Sequence, residues 1–115
     1  MDEKLSKALE FANYTQTLED KKSQIKEKFY QTTLYFFAGG QFTVDQTLLS
    51  FVSLLLQKQN QAILIDDNEN PIKIDDLKVF QDNILDVYFQ ATNEYFTDIQ
   101  DIKRKRSIEK LVNYE

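Results

Sequence analysis

Leu18, Lys22, Ile25, Phe29, Thr32 and Phe36 follow one another at steps of four and three. That is a heptad seam carrying two polar defects. Upstream, Leu5, Leu9 and Ala12 keep a similar stripe, and a slip of phase over 13–17 predicts a bend or a stutter. No glycine or proline falls between 2 and 37. The pattern therefore predicts one long helix over 1–38, whose stretch from Asp2 to Phe37 is about 54 Å long at the usual rise. Gly39-Gly40 is read as its stop, because glycine takes a left-handed cap without strain.

The period then changes. Gln41-Phe42-Thr43-Val44 alternates and predicts a short strand. Thr43-x-x-Gln46 has the capping-box spacing, with Asp45 as a rival cap, and opens a helix over 45–58. This helix carries Leu48, Leu49, Phe51, Val52, Leu54, Leu55 and Leu56 and is apolar on nearly every side, which predicts burial on more than one face. Ala62–Ile65 and Ile72–Ile74, joined by turn-forming residues over 66–71, read as a hairpin. Asp75 or Asp76 then caps a last long helix over 75–113, whose stripe is Leu77, Phe80, Ile84, Val87/Tyr88, Ala91, Tyr95, Ile99 or Ile102, and Leu111.

The fold predicted is α+β and mostly α. Two long antiparallel helices join a small β-α-β-β head (short helix plus hairpin, 41–74) in a single domain, 1–115. Its core is expected at Leu48, Phe51, Val52 and Leu55, packed on Phe42, Ile63, Ile65, Ile84 and Tyr88. The long helices exceed what the head needs. Their far ends expose Phe11, Tyr14, Ile108 and Val112, which predicts self-association or a partner.

Charge sharpens this picture. The chain of 115 residues is net −5, yet 1–40 is neutral, 41–102 is −8 and 103–115 is +3. An acidic middle with a basic end suits packing between copies, or docking on a partner with an acidic surface. It does not suit a general nucleic-acid binder, whose footprint is a basic domain. There is no cysteine and no histidine. Thiolate zinc sites, a cysteine nucleophile and the usual general base at neutral pH are thereby excluded. The reading is therefore a non-enzymatic protein that needs no cofactor. The first residues lack the basic start and apolar run of a secretory signal. The most apolar stretch, Leu48–Leu56, is far shorter than the roughly 20 residues that span a bilayer. These features place the protein in the cytoplasm or in something assembled there, away from membranes.

Four groups of residues invite chemistry. Asp66-Asp67-Asn68-Glu69-Asn70 offers oxygen ligands to calcium, but Pro71 stands where an EF-hand loop takes glycine and Leu77 where it takes glutamate. A turn whose Asp and Asn bond their own backbone explains it better. The pairs Asp66/Asp67 and Asp75/Asp76 fall in a turn and a helix cap, with no cleft to separate an acid from a base. Gly39-Gly40 lacks the lysine and spacing of a phosphate loop. Lys103, Arg104, Lys105 and Arg106 form the one basic run. Spread around a helix, they read as a solvated face near a helix end, as a partner-binding patch for an acidic protein, or as a small regulatory nucleic-acid contact.

Three stretches carry a resemblance: Ala8–Tyr14, Asn70–Leu77, and Ala91–Tyr95 followed by Arg104-Lys105-Arg106-Ser107. Together they resemble the small prohead core proteins of T-even-like myoviruses, components of the internal scaffold on which a capsid is built. The resemblance implies a non-enzymatic assembly role, self-association in the host cytoplasm or the assembling virion, and no catalytic residues.

Overall fold

The computed structural model describes residues 2–114, with side chains through Arg106. Seven elements follow in order: α1 (Asp2–Thr32), β1 (Leu34–Phe37), β2 (Gly40–Thr43), α2 (Gln46–Leu56), β3 (Ala62–Ile65), β4 (Pro71–Ile74) and α3 (Leu77–Tyr114). The fold is α+β and mostly α. The chain divides into two compact units, one spanning Phe29–Asn93 and one made of the outer parts of α1 and α3.

In the α/β unit the structure corrects the first boundary. The helix ends at Thr32, and Leu34–Phe37 is a strand paired antiparallel with β2, in the register Leu34↔Thr43 to Phe37↔Gly40. The head is thus β-β-α-β-β rather than β-α-β-β. The seam had been read through to Phe36, but Thr32-Thr33-Leu34-Tyr35-Phe36-Phe37 is a β-branched and aromatic run that favours a pleated surface. Its period is two. Tyr35 and Phe37 both lie against Phe80, with ring centroids 5.7 Å away in each case, while Phe36 is 68 % exposed. Thr33 makes the junction: its N–H still donates to the Phe29 carbonyl, its hydroxyl donates to Tyr30, and its carbonyl already accepts from Val44 in the ladder.

Gly39-Gly40 is accordingly no helix stop. Ala38 and Gly39 both have positive φ, 51° and 80°, and form the two-residue loop of this hairpin. Gly40 serves a different end. A Cβ there would stand 2.7 Å from Cγ1 of Ile72, so the missing side chain lets β4 approach β2.

Of the two candidate caps for α2, Asp45 is the one used; its carboxylate accepts from the Leu48 N–H at 2.8 Å. At α3 the cap is Asp76, whose carboxylate accepts from Val79, while Asn60 bonds both Asp76 and the Lys78 N–H. The Asn60 amide first, then the Val79 N–H, hold the Asp76 carboxyl below its ordinary range.

The core consists of Phe42, Val44, Val52, Leu64, Ile74, Leu77, Phe80 and Ile84. Phe42, Val52 and Ile84 are buried as expected, with Leu48, Leu55 and Tyr88 packed at its margin. Phe51, Ile63 and Ile65 are not core: they are 49 %, 66 % and 64 % exposed. β3 has the opposite phase to that expected, so Leu64 points inward. Only Val52 of α2 is buried, and Phe51 and Leu54 are exposed, so the helix covers one face of the unit instead of lying between two.

In the helical unit, Lys28 near the end of its α1 segment pairs with Asp98 near the start of its α3 segment at 3.2 Å, so the two run antiparallel. Tyr14, Leu18 and Ile25 of α1 are half-buried, and Ile102 of α3 is buried. Tyr14, expected bare, is partly covered, whereas Lys22 is exposed and lies off the seam. The side chains of Ile108, Leu111 and Val112 lie outside the described residues.

Candidate functional site

The helical unit holds a cavity of about 420 Å³ between its two segments. Its apolar wall comes from Leu18 and Ile25 of α1 and Ile102 of α3. Around it stand Lys21, Lys28, Lys105 and Arg106, against the two carboxylates of Asp98 and Asp101. The placement follows from the helical repeat. Tyr14, Lys21 and Lys28 are seven apart on α1, as Asp98 and Lys105 are on α3, so each set recurs on one face.

Both carboxylates have a cation. Asp98 is held by Lys28 at 3.2 Å, and Asp101 by Arg104 at 3.1 Å, one turn away on the same helix. Among the described side chains, which end at Arg106, Lys21, Lys105 and Arg106 make no ion pair. In a chain of net charge −5, the cavity is a local concentration of positive charge beside an apolar wall.

The basic run is therefore divided. Lys105 and Arg106 reach the cavity, Arg104 is turned to Asp101, and Lys103 is exposed and does not line it. Sequence reading found these four cations but missed their counterparts Lys21 and Lys28. It had placed Lys22 on the seam, and the seven-residue recurrence of Tyr14, Lys21 and Lys28 was the available signal.

The acidic turn has a structural role. Asp66 is buried, and its carboxylate accepts from the backbone N–H groups of Asn68, Asn70 and Gln41 at 2.8–3.0 Å. These donors, Asn70 foremost and then Gln41, hold its carboxyl below the usual value. Asp67 accepts from the Thr43 hydroxyl at 2.6 Å and from the Thr43 N–H at 3.2 Å, and its own N–H donates to the Gln41 carbonyl. Residues 41 and 43 are where β2 turns its backbone away from β1, because the Val44–Thr33 bond puts the ladder bonds on the even positions. The two aspartates thus satisfy the open edge of β2 and clamp one hairpin to the other. Oxygens spent on backbone donors are poorly disposed to bind calcium. Among the described residues, no three acidic side chains gather as a metal would require.

No family model, no curated protein and no solved structure matches this chain. Among the described residues, no helix is long and apolar enough to cross a membrane.

Proposed function

We propose that this chain is a non-enzymatic assembly protein that works through protein–protein contacts, first of all with copies of itself. The observation that carries the reading is α1, a helix of 31 residues without one buried side chain. Its first half presents Leu5, Leu9 and Phe11 at 63 %, 57 % and 71 % exposure. Helices in water draw most of their stability from packing an apolar face, and the side chains of residues 2–13 are all exposed. A second copy supplies a surface to pack on. The scaffold role implied by the resemblance to prohead core proteins agrees with such an association.

Light scattering on the full chain at micromolar concentration tests the reading. A mass of two or more copies is expected, falling to one copy when Leu5, Leu9 and Phe11 are replaced by glutamine. A wild-type protein that stays strictly monomeric contradicts it.

A further inference from the structure

Going beyond the assembly reading, we propose that the cavity of the helical unit binds a small anionic amphiphile, an apolar chain or ring system ending in a carboxylate or phosphate. Its volume of about 420 Å³ falls within the range of small-molecule sites, roughly 300–1,000 Å³. Leu18, Ile25 and the buried Ile102 give an apolar body somewhere to lie. The head group is selected by charge. Among the described side chains, Asp98 and Asp101 are matched by Lys28 and Arg104, and the lining sets four cations against those two carboxylates, so Lys21, Lys105 and Arg106 bring a surplus of positive charge to the rim. An anion placed there gains charge-assisted hydrogen bonds, which are about twice as strong as neutral ones. A neutral amphiphile of the same length gains only the apolar contact, and a cationic one is repelled. A nucleic acid would meet a short concave rim with an apolar floor instead of a basic surface able to follow its backbone.

Titration calorimetry on the full chain, with monomeric dodecanoate as the probe, tests this. Dodecanoate should bind one per chain, and dodecanol roughly tenfold more weakly. Lys21→Gln with Lys105→Gln should remove that preference and leave dodecanol binding and helix content as they were. Both residues are exposed. Thr17→Trp, from an exposed position on the cavity's lining, should fill the space and abolish binding of both probes. Equal binding of the two probes by the wild type overturns the proposal, as does absence of binding near roughly 1 mM. Unchanged affinity in both variants also overturns it. Vesicles of anionic phospholipid should not retain the protein; retention lost in the lysine variant would assign these cations to a lipid surface and overturn a site for the free amphiphile. None of these outcomes bears on the mass measured by light scattering, so the two readings fail separately.

Discussion

Asp66 shows how much one side chain holds in this protein. Three backbone N–H groups converge on its buried carboxylate, one of them from the other hairpin. Its depressed pKa ties stability to pH in one direction. The contribution is complete above the unfolded value near 3.9 and is lost as pH falls through the lower folded value. Asp66→Asn keeps the shape but turns an amide N–H₂ toward one of these donors. The variant should melt several degrees lower at neutral pH, and its deficit should shrink as wild type and variant are titrated below about pH 4. A deficit independent of pH would contradict the assignment. Gly40 gives a second test at this scale. Gly40→Ala should cost roughly 1–3 kcal/mol by overpacking against Ile72. The cost should be clearly smaller in an Ile72→Ala background, where the double-mutant cycle in denaturant reads the coupling. The turn's backbone bonding was legible in the sequence, since Asp and Asn are residues that bond their own loops. Its reach to β2 was not, because nothing local in 66–70 records a partner 25 residues upstream.

At the scale of elements, the strongly periodic segments were legible and the short apolar ones were not. The stripe of α3 was read correctly from Leu77 to Ile102, since a heptad sustained over several turns leaves one face to bury. β3 was misread because Ala62-Ile63-Leu64-Ile65 is apolar at every position. Only the pairing with β4, Leu64↔Ile72 and Ile63↔Lys73, determines which set faces inward. β1 was missed because Phe29, Thr32 and Phe36 satisfy a helical spacing while Tyr35 and Phe37 satisfy a strand. The aromatic ring of Phe80, distant in sequence, decides between them. The corrected core makes a paired prediction for chemical unfolding. Leu64→Ala, at a side chain 2 % exposed, should cost about 2–5 kcal/mol. Phe51→Ala, at a side chain 49 % exposed, should cost less than about 1.5 kcal/mol. Similar losses from the two would contradict the burial described.

Across the whole molecule, the proposed contact with other chains rests on the exposed apolar side chains of α1 and on the uneven charge along the sequence. The cavity of the helical unit was legible only in part: the basic run stood out as four consecutive cations, but no spacing within 103–106 pointed to Lys21 or Lys28 on a helix some 80 residues earlier. Arg104→Glu with Arg106→Glu should weaken association and remove its acceleration at low salt, while helix content and melting temperature change little, because charge-steered contacts act on encounter more than on fold. Intact association in that variant would contradict a role for Arg104 and Arg106 in contact between chains. The central claim, that the first half of α1 is covered by another copy, is most directly tested by amide hydrogen exchange on the full chain over a range of concentrations. Residues 2–13 should become protected as concentration rises, in step with the mass from light scattering, while protection of Phe29–Asn93 stays constant. Exchange over 2–13 that is equally fast at every concentration would contradict it.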